Sequence, residues 1–380
     1  MRILVDARHL NTDKLSGVGK YTIELLRALF EIDQENEYVL LSSGRSKPSY
    51  SRFQIPDSKF SPLHISTPNK LLNLRTLLLR HPTINWRAKD AIDLIFLPNL
   101  NITALPEDIP TVLTIHDLSW KLYPEFYSRK MQAWHRACRP QELADKAAAI
   151  IAPSISTARD VQTHLGVDAS RIHAIAHGFN PNFDERLRAQ DHGARGRLKL
   201  PKRFALHVGT IEPRKNLLAL VEGVKAYREK TRDDLHLVLA GSWGWRSHNL
   251  RRRLWKRDTK GWVHVIDYVP SQDLPALYRS AAVTVCPSIY EGFGLPALES
   301  MACGTPVIAT HTSSLPEVVG DAAVLIDPYN SADIAMALEH TLGSNMLRSQ
   351  LIQKGLEQAK TFSWEKAAQK TLNLFETYGT

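Results

Sequence analysis

The sequence predicts an α/β protein built of two doubly wound parallel-sheet domains in series. Three observations predict it. Short β-branched runs alternate with amphipathic helical stretches. Several strand runs are apolar on both faces, as in a parallel sheet covered by helices. The rhythm breaks once, near the middle of the chain, and then restarts. Length agrees, since 380 residues correspond to about two domains. The composition, 43% hydrophobic and 23% charged, excludes wholesale disorder. No internal repeat of solenoid or propeller length is visible.

Arg2–Asp6 reads as the first strand. From Val18 the apolar positions Tyr21, Leu25, Leu26, Leu29 and Phe30 follow helical spacing. Further strands are expected at Tyr38–Leu41, Leu94–Leu97, Thr111–Ile115, Ala149–Ala152 and Ile172–Ala176. Helices are expected near Lys70–Leu79, Ser128–Lys146 and Ser156–Leu165. Residues 182–203 are polar and arginine-rich and read as an inter-domain linker. Strands resume at Phe204–Val208, Leu235–Ala240, Trp262–Ile266, Ala282–Cys286, Pro306–Thr310 and Ala322–Ile326. Met346–Tyr378 reads as helical, interrupted at Phe362-Ser363-Trp364. The expected domains are therefore 1–181 and 204–363.

Several classes are set aside. No apolar stretch reaches the roughly 20 residues of a membrane span. The acid at Asp6 makes the N-terminus a strand rather than a signal peptide. Cys138, Cys286 and Cys303 are scattered, as buried hydrophobes are in a reducing compartment. His173 and His177 fall along a strand, where four residues span about 13 Å, too far to share one metal. Net charge is +9. Its densest cluster, Arg246 to Lys260, is either a solvated face or a surface for anions.

The motifs lie where strands give way to helices, which is where doubly wound sheets bind ligands. Ser16-Gly17-Val18-Gly19 precedes the first helix. Glycines there let backbone approach an anion, or they merely make the turn. His116-Asp117 ends the strand Thr111–Ile115, either as a functional pair or as an edge histidine. Gly209-Thr210-Ile211-Glu212-Pro213-Arg214-Lys215-Asn216 puts two cations before a helix, against its dipole. A diphosphate suits such a pair: Arg binds it bidentately, Lys as a point charge. The densest signal is Glu291-Gly292-Phe293-Gly294-Leu295-Pro296, with Glu299 eight residues beyond Glu291. Its glycines expose the Gly294 and Leu295 amides, Pro296 suits a first helical turn, and two carboxylates can hold separate hydroxyls of one polar ligand.

Glu291-x7-Glu299, Glu-Gly-Phe-Gly-Leu-Pro, Met-Ala-Cys-Gly-Thr-Pro-Val (301–307) and Glu-Pro-Arg-Lys-Asn (212–216) closely resemble the retaining glycosyltransferases of family 4, which have the GT-B fold. Gly244-Trp245, Asp267-Tyr268-Val269-Pro270, Leu277-Tyr278 and Ser313 to Glu317 look like the mannosyltransferase-rich subgroup. The resemblance implies two Rossmann-like domains facing across a cleft, with the last helix, 364–380, returning to the first domain. It implies that Glu299 binds the nucleotide ribose and that Glu291 contacts the donor sugar. Phe293, Gly294 and Leu295 would serve sugar or diphosphate through their amides. Lys215, with Arg214, would neutralise the leaving diphosphate. His116 would lie beside the donor sugar, with Gly17 and Gly19 near the phosphates. Gly209, Tyr268 and Val269 fall among the implied donor-binding residues. Thr210 departs from the family, where Arg is common and also binds diphosphate.

The expectation is thus a retaining hexosyltransferase. It moves a sugar, mannose from GDP-mannose, onto a glycan or lipid-linked glycan in surface polysaccharide or lipopolysaccharide assembly. The absence of Asp-x-Asp leaves diphosphate charge to Arg, Lys and helix dipoles, so no metal and no other cofactor is expected. A cytoplasmic location, peripheral on the inner face of the plasma membrane, accompanies this reading. Rival readings are a UDP-hexose transferase, an epimerase on the same fold, and a non-catalytic basic protein gripping nucleic acid or membrane. No RRM, KH or helix-turn-helix pattern supports nucleic acid. Lys70–Arg87 interleaves six leucines and Trp86 with Lys70, Arg75, Arg80 and Arg87. It reads either as a core helix over the first sheet or as a basic helix at an anionic membrane surface.

Overall fold

The computed structural model describes residues 1–11, 16–48, 50, 55–88, 90–186 and 188–379. The strands are β1 Arg2–Asp6, β2 Glu37–Ser43, β3 Phe60–Ile65, β4 Leu94–Leu97, β5 Thr111–Thr114, β6 Ala149–Ala152 and β7 Ile172–Ala174. They continue as β8 Phe204–Val208, β9 His236–Ala240, β10 Val263–Ile266, β11 Val283–Cys286, β12 Val307–Thr310 and β13 Ala323–Ile326. The helices are α1 Gly17–Ile32, α2 Asn69–Leu79, α3 Ser119–Leu122, α4 Arg129–Ala137, α5 Pro140–Lys146, α6 Ile155–Leu165, α7 Ala189–Arg197 and α8 Leu217–Thr231. The last seven are α9 His248–Leu254, α10 Leu274–Ser280, α11 Leu295–Ala302, α12 Leu315–Val319, α13 Ser331–Gly343, α14 Asn345–Ala359 and α15 Trp364–Tyr378.

Two compact units result: 1–118 with 129–178 and 363–380, and 119–128 with 179–362. The first holds a parallel seven-stranded sheet in the order β3-β2-β1-β4-β5-β6-β7. The second holds a parallel six-stranded sheet, β10-β9-β8-β11-β12-β13. Strand order reverses between β1 and β4, and between β8 and β11. The carboxyl ends flanking such a reversal open a crevice that ligands use. The central strands are fully buried, which explains their unbroken apolar runs.

The core of the first unit joins α1 to α15. Ser16 caps α1 by accepting from the Gly19 amide, and Ser363 caps α15 through the Lys366 amide. Tyr21, Leu25, Leu29 and Phe30 share one cluster with Trp364, Ala368, Leu372 and Phe375. The Phe375 ring lies 5.2 Å from that of Phe96 on β4.

Three boundaries differ from the sequence reading. The stretch read as one helix, Ser128–Lys146, is α4 and α5. Arg139 breaks it with a left-handed φ of 48°, because Pro140 disfavours helical geometry in the residue before it. The segment read as a linker, 182–203, carries α7 and belongs to the second unit. There Arg279 donates to both carboxylate oxygens of Asp191 at 2.8 Å. Residues 119–128 also belong to the second unit. Trp245 donates to the Phe126 carbonyl at 2.7 Å and stacks on Tyr127. Strand β3 escaped the sequence reading because Pro62 and exposed polar residues mark an edge strand, not an apolar run.

Phe375→Ala empties the contact between α15 and β4. We expect a loss of about 3–5 kcal/mol, read as a lowered denaturant midpoint with an unchanged far-ultraviolet circular dichroism spectrum at low denaturant.

Candidate active site

The second unit concentrates its polar chemistry beside the β8/β11 reversal. Strand β8 ends at Val208. Gly209 then takes φ +149°, a conformation that favours glycine, and a short turn at Pro213–Lys215 follows. Strand β11 ends at Cys286, and the 287–294 loop carries Glu291. The two loops are tied by the Ile289 amide donating to the Arg214 carbonyl at 3.0 Å. Thr310 at the end of β12 donates to the Ser288 carbonyl at 2.7 Å, and the Glu291 amide donates to Ser313 at 2.8 Å.

These loops bring four charges together. Glu291 Oε1 accepts from Lys215 Nζ at 2.5 Å and from Ser288 Oγ at 2.6 Å. Its Oε2 accepts from Arg214 at 2.8 Å. The same guanidinium donates to the Tyr290 carbonyl at 2.7 Å and, through Nε and Nη2, to Glu212 Oε1. Lys215, Glu212 and Glu291 are buried. Burial raises the Glu291 pKa, but Lys215 and Arg214 outweigh it and hold the carboxyl well below its usual range. Arg214 is thus bound by two carboxylates and a carbonyl, whereas Lys215 lies along Gly209. A Cβ there would stand 3.8 Å from Lys215 Nζ.

Glu299 lies on α11, one turn into the helix. Its Oε2 accepts from the Tyr278 hydroxyl at 2.8 Å, and Tyr278 is fully buried. Gly294 starts α11 with φ +115°, and a Cβ there would meet Leu315 Cδ2 at 2.7 Å. Phe293 and Gly294 are buried and Leu295 is half-buried. The first amides of a helix lack intrahelical acceptors and favour anions. Tyr268 is exposed and Val269 buried in the loop after β10, two strands from β8. Thr210 is exposed.

The first unit places its expected residues at the carboxyl ends of β1 and β5. His116 Nε2–H donates to the Pro98 carbonyl at 2.9 Å, which leaves Nδ1 as an acceptor. Burial lowers its pKa. The Tyr21 ring meets it edge-on at 4.7 Å, and His177 stacks on Trp364 at 5.6 Å. Gly19 is buried in the first turn of α1 and Gly17 is exposed.

The sequence reading placed Tyr278 and Ser313 in family-like strings but gave neither them nor Ser288 a part in holding these groups. Ser288, Ser313 and Tyr278 orient the two glutamates. In the first unit Arg8 donates to both oxygens of buried Asp6, at 2.8 and 2.7 Å, and to Thr103. A usable signal existed for Asp6, an acid at the end of the first apolar strand.

His207 on β8 donates from Nδ1 to the Val285 carbonyl at 3.0 Å. Burial, with Lys215 nearby, lowers its pKa to about 4. The unfolded chain therefore binds a proton near pH 6.5 that the folded one refuses. Stability contributed by neutral His207 is complete above pH 6.5 and drains as pH falls toward 4, by up to about 3 kcal/mol. His207→Asn keeps the donor and removes the titration. We expect its melting temperature to fall less steeply than wild type between pH 6.5 and 4.

The family model described as glycosyl transferases group 1 matches residues 190–358, and that of Glycosyltransferase Family 4 matches residues 15–183. The chain is 32% identical to O-antigen chain mannosyltransferase B of Escherichia coli, over 95% of this chain and 96% of that one. It is 25% identical to the serotype-specific mannosyltransferase WbdA of Escherichia coli, covering 99% of this chain and 48% of that protein. Among solved structures, a sucrose-phosphate synthase from Thermosynechococcus elongatus superposes with a TM-score of 0.78 at 20% identity, over 99% of this chain and 98% of that one. With two parallel-sheet units and a full-length relative above 30% identity, the chain belongs to the group 1 glycosyltransferases of family 4, a mannosyltransferase-like enzyme of the GT-B fold.

Proposed function

We propose that the enzyme transfers mannose from GDP-mannose, with retention of configuration, to a glycan or lipid-linked glycan acceptor in O-antigen or related surface polysaccharide assembly. The observation that carries this reading is the buried Glu212–Arg214–Glu291–Lys215 cluster at the β8/β11 reversal. The similarity to an O-antigen mannosyltransferase along nearly the whole of both chains supports the choice of sugar and pathway. The work is assigned to the cytoplasm, at the inner face of the plasma membrane. No helix among the described residues is long and apolar enough to cross a membrane.

In this reading Lys215 carries the charge that develops on the leaving diphosphate. Its alternative partner, Glu291, keeps it in place before the donor arrives, so little reorganisation accompanies charge transfer. Arg214 acts mainly through Glu291 and Glu212, because protein acceptors already bind its guanidinium. The first amides of α11 meet the donor phosphates or sugar. Glu299, oriented by Tyr278, accepts from the ribose hydroxyls. Glu291 contacts the donor sugar. Neutral His116 accepts at Nδ1 from a sugar hydroxyl. Diphosphate neutralisation by Lys215 and helix amides leaves no step that requires a metal. Among the described residues no group of three or more His, Cys, Asp and Glu is arranged to hold one.

Purified enzyme incubated with labelled GDP-mannose, UDP-glucose or UDP-galactose and a mannan-primed acceptor tests the reading. Mannose transfer with α-anomeric product by NMR is the expected result. Preference for a UDP-hexose would replace the donor assignment. Lys215→Ala should cost about a hundredfold in kcat, on the order of 3 kcal/mol of transition-state stabilisation. Glu299→Ala should act mainly on the donor KM, and Tyr278→Phe should shift the same constant by a smaller factor. Activity should survive excess EDTA. Complete loss, restored by magnesium or manganese, would reject the metal-free mechanism.

A further inference from the structure

One buried acceptor beside the charged cluster has nothing to accept. The β8–β11 ladder pairs Ala205 with Val283 and Leu206 with Thr284. His207 extends the contact by one step with its side chain, donating from Nδ1 to the Val285 carbonyl at 3.0 Å. In a neutral imidazole that bond makes Nε2 a lone-pair acceptor. The residue is 2% exposed, and no hydrogen-bond partner meets Nε2 among the described residues. A buried polar atom left this way is costly, so native structures seldom keep one without a use.

The surroundings of that nitrogen point to the use. A Cβ at Gly209 would stand 3.5 Å from His207 Nε2, 3.5 Å from Lys215 Cε and 3.8 Å from Lys215 Nζ. The lone pair and the end of the lysine therefore border one small space, which the glycine leaves open. The Lys215 ammonium carries three N–H donors, and one of them meets Glu291 Oε1. The charged groups acting on the imidazole are Lys215, from the turn after β8, and Glu291, from the loop after β11.

We propose that His207 is a positioning residue for Lys215. When a diphosphate draws the ammonium away from Glu291, Nε2 accepts one of its N–H bonds and fixes the direction of the other two. The inference rests on the assignment of Lys215 to the leaving diphosphate. A neutral imidazole suits the task because it orients the cation without neutralising it. A carboxylate there would compete with the diphosphate for the same charge, and a protonated ring would repel it. His207 is too deeply buried to touch substrate, so its effect passes through Lys215.

The test is NMR of the full chain, isotope-labelled at the histidine nitrogens, with GDP and with inorganic pyrophosphate at saturating concentration. The His207 resonances are identified by their loss in His207→Gln. In the free enzyme Nε2 should resonate as an unprotonated nitrogen. It should move to lower frequency when either probe binds, as its lone pair takes a hydrogen bond, and stay in place in Lys215→Ala saturated with GDP. In kinetics, His207→Phe should lower kcat about tenfold with little change in donor KM. His207→Gln should recover most of that loss, because its amide can donate to the Val285 carbonyl and accept from Lys215. An Nε2 resonance unmoved by bound GDP would overturn the proposal. So would an equal movement in Lys215→Ala, which would assign the space to a water, or equal kcat in the Phe and Gln variants. If His207→Phe does not fold, the spectra of wild type and Lys215→Ala decide. Binding of GDP with a silent His207 rejects this inference alone, whereas an enzyme that binds neither probe rejects the diphosphate assignment together with it.

Discussion

The pairing of Glu291 with Lys215 and Arg214 is the constraint around which the second unit is arranged. Two acids and two bases share a largely buried site, so the cluster is close to neutral by itself. Removing either partner of a buried pair typically costs about 3–5 kcal/mol, because the remaining charge is stranded. Folding therefore fixes the loops after β8 and β11 relative to each other. The Ile289–Arg214 backbone bond and the Ser313 and Ser288 contacts lock the same arrangement. These loops bear the proposed site, and the cluster holds them in place before any ligand arrives.

The same arrangement separates the roles of two adjacent cations. Arg214 uses its fork on Glu212, Glu291 and a carbonyl, the planar geometry for which guanidinium is suited. Lys215 presents one compact charge beside the glycine at the head of the loop. A diphosphate can recruit Lys215 by exchanging one anionic partner for another. Recruiting Arg214 would break several bonds at once. Thr210 adds no charge to this cluster, and its side chain is exposed.

Much of the fold was legible because each central strand is apolar on both faces and ends in a glycine or polar signal. The Glu291-x7-Glu299 and Arg214-Lys215 strings were read as parts of one site, and the structure brings Glu291 into contact with Arg214 and Lys215. Their side-chain partners were not legible. Nothing local marks Tyr278 as the residue that holds Glu299, since the pair is 21 positions apart and meets only when α10 and α11 pack. Arg139 and Pro140 show that a turn within a helical pattern is set by one peptide's sterics. Helix α2 shows a different limit. Periodicity reveals that leucines share a face, yet only the neighbours decide whether that face turns inward.

Nucleotide-induced thermal stabilisation, read on wild type and on Lys215→Ala, tests the central claim most directly. Stabilisation grows with the logarithm of ligand over dissociation constant. The account predicts that GDP raises the wild-type melting temperature well above the effect of guanosine at equal concentration, and that Lys215→Ala loses most of that difference. Equal stabilisation of both proteins by GDP would contradict it, because the diphosphate would then be held without the lysine that Glu291 keeps in place.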